Sequence, residues 1–133
     1  MIAISTLLYE VVVNMPLTNP IEKSLHDLKE HPEIEEVTLI SRSGMHIAGN
    51  VPDNAHRETY VAMAAILLGA AETATSELEE DLLHVIIELK KSKILILNGG
   101  PTALVTVKVK RKVDLDDIFS TVTDTIETLK EYL

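Results

Sequence analysis

The sequence predicts an α/β (α+β) domain in which one antiparallel sheet carries helices on both faces. Three segments space their apolar residues with a helical period, and five short runs have strand character, in the order α-β-β-α-β-β-β-α. The connections between consecutive strands are short, which favours antiparallel hairpins. Because every helix has at least one apolar stripe, a sheet covered on both faces would bury all of them.

The first helix is predicted to begin at Asn19, whose side chain suits the N-cap position. Pro20 occupies the first helical position, where its missing N–H costs nothing, and Glu22 completes a capping-box pattern. The helix is expected to end before Pro32, since proline disfavours helical backbone in the residue ahead of it. Its apolar stripe consists of Ile21, Leu25 and Leu28.

Five strands are predicted from aliphatic runs bounded by turn residues. They cover residues 36–41, 45–50, 84–90, 93–98 and 102–110, with turns at Arg42-Ser43-Gly44 and Lys91-Ser92. The uninterrupted run Ile94–Leu97 is typical of an interior strand with both faces covered. The last strand alternates valines with Thr106 and Lys108, which predicts partial exposure of its polar face, at least near its end.

The segment from Tyr60 to Leu82 is the most informative part of the sequence, because it has helical spacing but is apolar on opposite sides. One stripe consists of Tyr60, Ala64, Leu67, Ala71, Ala74 and Leu78, and the other of Ala62, Ile66, Gly69 and Thr73. A helix that is apolar all round is usually buried on two sides. The first stripe is expected to pack on the sheet. The small residues of the second would admit a helix of a partner subunit, or a second layer of the same chain.

The last helix is predicted to span residues 114–132, with Asp114 as its N-cap. Val113 and Ile118 have the spacing of a hydrophobic staple, which fixes the angle at which the chain enters the helix. A single apolar stripe runs along this helix, formed by Leu115, Ile118, Phe119, Val122, Ile126 and Leu129. One face is therefore expected to pack on the sheet and the other to meet solvent.

Residues 1–16 are interpreted as an N-terminal extension of uncertain structure ahead of one domain at 17–133. The extension is apolar, but Glu10 interrupts it and it lacks a basic start, so it is a poor signal peptide. It is also too short for a membrane span, so no transmembrane segment is expected. An extra edge strand, a short helix and a start-site artefact with Met15 as the natural first residue all fit it.

Composition excludes several classes of function. A net charge of −9 argues against nucleic-acid binding, because phosphate contacts need a positive surface. Aromatic residues make up only 3% of the chain, too few for a surface that stacks bases or sugars. The absence of cysteine excludes disulfides, thiol catalysis and cysteine-based zinc sites, and it fits a cytoplasmic location.

No motif for catalysis, cofactor binding or metal binding is found. Gly99-Gly100-Pro101 lacks the following Lys-Ser/Thr of a phosphate-binding loop and is interpreted as a turn. The five histidines show no metal-ligand spacing. The acidic run at residues 77–81 is interpreted as a solvated helix end. We therefore expect a protein that is not an enzyme and has no cofactor.

Four stretches of the chain form a distinctive combination: LHDLKEHPEIEEVTLISRSG, the alanine-rich helix, LHVIIELKKSKILILNGGPTALVTV and the closing amphipathic helix. Together they extend over about residues 20–133 and resemble the roadblock/LC7 family of dynein light chain-related domains. The resemblance implies a five-stranded antiparallel sheet with one long helix on one face and two helices on the other. It also implies dimers in which two sheets join edge to edge and the long helices pair.

The resemblance suggests a function as well as a dimer interface. Family members act as platforms or regulators of small Ras-like GTPases, or as dynein-associated light chains, so the expected partners are a second copy or a roadblock-like paralogue, and a small GTPase. The expected dimer interface consists of Ala62, Ile66, Gly69 and Thr73 on the long helix and Ile86, Ile87, Glu88, Leu89 and Lys90 on the joining strand. The alternatives are a profilin-like or PAS-like small-ligand sensor and a structural adaptor without a GTPase.

Two basic clusters stand out in this acidic chain: Lys90, Lys91 and Lys93, then Lys108, Lys110, Arg111 and Lys112. If the last three strands form a meander, both clusters meet at one end of the sheet. Such a patch would keep the protein soluble and protect its strand ends from aggregation. It would equally provide a docking site for an acidic partner or for peripheral contact with an anionic membrane.

Overall fold

A computed structural model describes residues 19–133 and contains one five-stranded sheet with helices on both faces. The elements are α1 (Pro20–Lys29), β1 (Ile34–Ser41), β2 (His46–Gly49), α2 (Arg57–Thr75), β3 (His84–Glu88), β4 (Ser92–Asn98), β5 (Ala103–Lys110) and α3 (Leu115–Leu129), with 3-10 turns at Ser76–Leu78 and Lys130–Tyr132. The strand order is β2-β1-β5-β4-β3, and all neighbours are antiparallel. The predicted fold class and element order are confirmed. The predicted extension at 1–16 lies outside the described residues.

One face of the sheet is covered by α1 and α3. Leu25 and Leu28 of α1 are buried in the same core as alternate residues of β1, β4 and β5. Of the stripe predicted for α3, Ile118, Val122, Ile126 and Leu129 are buried in this core, and Leu115 and Phe119 are half-buried against it. Asp114 caps α3 by accepting a hydrogen bond from the Asp117 N–H at 3.3 Å, as predicted. The N-cap of α1 is also correct, since the Asn19 side chain accepts from the N–H of Ile21 at 3.0 Å.

The capping box predicted for α1 does not form. The Asn19 side chain accepts from the Glu22 N–H at 3.3 Å, but the Glu22 carboxylate accepts from the Gly49 N–H at 3.4 Å instead of turning back to Asn19. The end of β2 lies close enough to offer this other donor. Glu22 therefore ties α1 to the edge of the sheet.

The polar face of β5 is less exposed than the sequence of the strand predicts. It lies at the centre of the sheet, paired with β1 and β4, so its polar residue Thr106 is only 1% exposed. The hydroxyl of Tyr60 in α2 donates a hydrogen bond to the Thr106 hydroxyl at 3.2 Å, which satisfies this buried group. The predicted exposure holds only near the strand's end, where Lys108 is half-buried and Lys110 is exposed.

Among the described helices, only α2 covers the opposite face of the sheet. Its buried residues are Val61, Ala64 and Leu68, so of the inward stripe predicted from the sequence only Ala64 is buried, and Leu67 is 42% exposed. The helix is apolar on every side, so its composition does not fix which side faces the sheet. It also ends earlier than predicted, at Thr75, because the chain tightens into a 3-10 turn and Glu79 takes a left-handed conformation with φ +56°.

The close approach of the Gly49 backbone to β1 can be tested by substitution. Gly49 has φ +80°, and a Cβ there would lie only 2.3 Å from the Val37 carbonyl oxygen. We expect Gly49→Ala to destabilise the fold by about 3 kcal/mol, measured by urea denaturation, because strain and a backbone clash add. Gly100 has φ +108°, but its Cβ would meet only the Lys130 side chain at 4.0 Å. Gly100→Ala is the control, and we expect it to lower the free energy of unfolding by about 1 to 2 kcal/mol through backbone strain alone. Equal losses of stability in the two variants would contradict the clash at Gly49.

Candidate interaction surface

The side of α2 that faces away from the sheet is apolar and exposed. Met63 is 51% exposed, Ile66 59% and Leu67 42%, and Ala70 and Ala74 extend the same face. By length and hydropathy alone, the stretch Arg57–Leu78 is also apolar enough to cross a membrane. In the structure it packs along the sheet, so its composition fits a helix with the sheet on one side and a second apolar surface on the other.

The edge of the sheet nearest to this helix face is open. β3 is the last strand in the order, and no described strand pairs with its outer edge. The Leu89 N–H donates to the Ser92 carbonyl at 2.9 Å. In an antiparallel ladder, hydrogen-bonded residues alternate with outward-facing ones. The outward-facing backbone groups of β3 are therefore those of His84, Ile86 and Glu88.

A groove joins the helix face to the strand edge. Its volume is about 210 Å³, and it is lined by Thr59, Tyr60, Met63, Ala64, Leu67, Ile87, Ile94, Ile96 and Thr106. Leu89, just after β3, is 43% exposed and extends the apolar edge beyond Ile87. Ile86 is 41% exposed, but it is paired with Leu95 and its side chain points to the face of the sheet that α3 covers. The outer face of α2, this groove and the β3 edge form one continuous surface, called here the apolar surface.

The structure places most of the predicted interface residues on the apolar surface. Ile66 and Thr73 are exposed on α2, Ile86, Glu88, Leu89 and Lys90 are exposed along or just after β3, and Ile87 lines the groove. Sequence reasoning missed Met63, and it assigned Leu67 to the inward stripe. No pattern in the sequence distinguishes these residues from the buried ones, because only the packing of α2 decides which apolar residues face out.

Two predicted interface residues lie at the flank of α2 next to the β1–β2 turn. A Cβ on Gly44 would lie 3.1 Å from the Ala62 Cα, so Ala62 packs against its own hairpin instead of facing outward. Gly69 has no atom within 4 Å of the position its Cβ would occupy. No residue of the described part of the chain therefore fills the space beside Gly69.

An ion pair that the sequence did not reveal fixes the hairpin to α2. Arg42 donates from Nη1 and Nη2 to the two carboxylate oxygens of Glu72, at 2.6 and 3.2 Å. Its Nη2 also donates to the Asn98 side-chain oxygen at 2.8 Å. This bidentate arrangement joins the β1–β2 turn, the last turns of α2 and the end of β4. The sequence by itself indicates only a turn at Arg42.

The two basic clusters meet at one end of the sheet, as the meander predicted. Ser92 is paired with Lys110, and Lys93 with Val109. Two of the seven basic residues, Lys108 and Arg111, make contacts within the chain that stabilise the fold. Lys108 forms an ion pair with Glu35 at 2.8 Å, and this hydrogen bond raises its pKa. Arg111 donates to the Leu89 carbonyl at 2.8 Å and forms an ion pair with Glu88 at 3.3 Å.

A second groove lies on the other face of the sheet, between α3 and β3. Its volume is about 410 Å³, and Asn98, Asp116 and Glu127 are among its polar lining residues. The rings of His84 and Phe119 stack in it, with centroids 3.9 Å apart and planes inclined by 18°. Within residues 19–133 no group of three or more acidic or histidine side chains is arranged to hold a metal ion.

The stacked histidine predicts a pH dependence of stability. Burial lowers the pKa of His84 below its ordinary value of 6.5. The unfolded chain therefore takes up a proton at this position before the folded chain does, and the free energy of unfolding falls as pH drops through 6.5. We expect His84→Phe to reduce the loss of stability between about pH 7.5 and about pH 5.5 in urea denaturation. His26→Phe, at an exposed position of α1, is the control, and equal losses in both variants would contradict this role.

Comparison with known proteins places these features in a family. The family model for the Roadblock/LC7 domain matches residues 20–108. No curated protein gives a match. The structure is similar to a roadblock/LC7 domain from Streptomyces avermitilis, with a TM-score of 0.74 and 17% identity over 82% of this chain and 93% of that one. It is also similar to MglB from Myxococcus xanthus, with a TM-score of 0.76 and 14% identity over 84% and 93% of the two chains.

The same fold extends to a profilin. The structure from Schizosaccharomyces pombe has a TM-score of 0.59 and 10% identity over 84% of this chain and 94% of that one. At such low identities, likeness to solved structures concerns the fold, whereas the family model matches the sequence itself over most of the domain. Together with the strand order and the placement of the three helices, that match identifies the chain as a member of the roadblock/LC7 domain family.

Proposed function

We propose that this protein is a cytoplasmic, non-enzymatic homodimer that regulates or scaffolds a small Ras-like GTPase. The observation that carries the proposal is the apolar surface, which residues 19–133 leave open beside a strand edge that none of their strands pairs with. Membership of a family of regulatory and adaptor proteins supports a role in binding rather than in catalysis. Similarity to MglB supports the same class of function.

The apolar surface has the chemistry of a subunit interface. Large apolar side chains that are about half exposed lie together on it, among them Met63, Ile66 and Leu67. Full burial of such a side chain contributes about 1.5 to 3 kcal/mol relative to exposure. Contiguous exposed patches of this kind mark protein–protein contact sites more often than they mark free surface. In a two-fold dimer each copy buries its own patch against that of the other copy, so the free energy gained by burial counts once for each copy.

A dimer built on the apolar surface would present one composite face to a GTPase. Joining two β3 edges would make a ten-stranded sheet, with both α2 helices on the same face. Residues of both copies would then border any partner that sits across the two-fold axis. This arrangement needs no catalytic group in the chain, because a platform acts by holding its partner in one nucleotide-bound conformation.

The dimer is tested at the centre of the exposed face of α2. We expect Ile66→Glu to raise the dimer dissociation constant about 10-fold or more in analytical ultracentrifugation, because burying an unpaired carboxylate is costly. Gly69→Leu should weaken the dimer too, since its side chain enters space that is open in the single chain. Met45→Glu is the matched control, because Met45 is 69% exposed at the opposite end of the sheet. If Ile66→Glu dimerises like the unchanged protein, this interface is wrong.

The GTPase partner is tested by affinity capture from lysate of the source organism. Purified protein serves as bait in parallel with GDP and with a non-hydrolysable GTP analogue. We expect recovery of a Ras-like GTPase that depends on the nucleotide, and less recovery by the Ile66→Glu bait. Failure to recover a GTPase with a folded, dimeric bait would contradict the proposal. It would favour an adaptor without a GTPase, or a profilin-like sensor with a ligand in the 410 Å³ groove.

A further inference from the structure

Opposite charges stand at the two ends of the open strand β3. An acidic segment precedes the strand and consists of Glu77, Glu79, Glu80 and Asp81. A basic turn follows it and consists of Lys90 and Lys91. All six side chains are exposed, and none forms an ion pair with another described residue. The edge therefore carries an unbalanced charge at each end.

The two charged groups are too far apart to neutralise each other within one chain. β3 has five residues, which span roughly 16 Å at about 3.3 Å per residue. The screening length at physiological salt is about 8 Å. The basic turn also lies beside Lys93, Lys110 and Lys112, so its local surroundings are positive although the chain carries a net charge of −9.

We propose that the edge of β3 recognises the same edge of a second copy through these charges. A two-fold axis perpendicular to the sheet makes the paired strands antiparallel. With Ile86 opposite its own counterpart, His84 of one copy lies opposite Glu88 of the other. The acidic segment of each copy then stands beside the basic turn of the other, and two equivalent charge contacts form.

The charge pattern selects this partner and this orientation. A parallel arrangement would bring acidic segment to acidic segment and basic turn to basic turn, and like charges at an interface are costly. The apolar surface provides the attraction, while the charges specify a second copy in antiparallel orientation. This inference rests on the proposed dimer and adds the basis of its self-recognition. It assigns Lys90 and Lys91 of the basic patch to the dimer rather than to an acidic protein or a membrane.

Complementary charge reversal tests the inference. One variant, Lys90→Glu with Lys91→Glu, is acidic at both ends of the strand. The other, Glu80→Lys with Asp81→Lys, reverses the two acidic residues nearest the strand and brings the acidic segment from −4 to 0, so that only the basic turn keeps a net charge. We expect each variant alone to dimerise about 10-fold or more weakly than the unchanged protein at about 50 mM NaCl. An equimolar mixture should regain much of the original affinity as a heterodimer, because the unchanged acidic segment and basic turn face each other at one contact and the reversed residues of the two variants face each other at the other. The loss of dimer affinity in each variant measured alone should be smaller at about 500 mM NaCl, because salt screens the charges.

Two further proteins make the result decisive. Asp124→Lys with Glu131→Lys changes the net charge as much as Glu80→Lys with Asp81→Lys does, but at exposed positions on and after α3, and it should dimerise normally. The variant that carries all four β3-flanking reversals should likewise regain much of the original affinity. If each reversed variant dimerises normally, or the mixture is no tighter than either alone, the charge pairing is wrong while the dimer stands. An unchanged protein that stays monomeric overturns both.

Discussion

The structure depends on one constraint: a helix that is apolar on all sides is covered by the sheet on only one of them. Val61, Ala64 and Leu68 of α2 complete the core on that face of the sheet. The opposite face of the sheet has two helices, so its core closes within the chain. The apolar excess therefore collects on the outer side of α2 and along β3, and this asymmetry sets the surface where function is proposed.

Short-range contacts hold α2 in the orientation that creates this surface. Gly44 approaches Ala62 so closely that the β1–β2 turn packs directly on the helix backbone. Arg42 donates two hydrogen bonds to Glu72 near the other end of the helix. The hydroxyl of Tyr60 reaches Thr106 in the central strand. These contacts favour one rotation of the helix about its axis, which its nearly uniform apolar composition would not specify.

The residues of the basic patch differ in their surroundings. Lys108 and Arg111 are bound to acidic or carbonyl groups of their own chain and stabilise the β1–β5 contact and the β3–β4 turn. The lysines of the turn itself remain exposed. Neighbouring residues of the patch therefore have different surroundings, and the patch as a whole does not have a single role. Charge at a strand end also discourages indiscriminate pairing of open edges, so the lysines that we propose to favour a second copy would also oppose incorrect partners.

The sequence by itself determined the fold class, the order of elements and the caps at Asn19 and Asp114, because periodicity and capping chemistry are local properties. It also predicted that the two basic clusters would meet, since a meander follows from short connections. The tertiary structure alone decided three features. It placed β5 at the centre, which buries Thr106. It directed Glu22 to Gly49 instead of into a capping box. It also turned Leu67 and Met63 outward and Ala62 toward Gly44. Each depends on contacts between segments distant in sequence, and a local pattern has no information about which partner a side chain will meet.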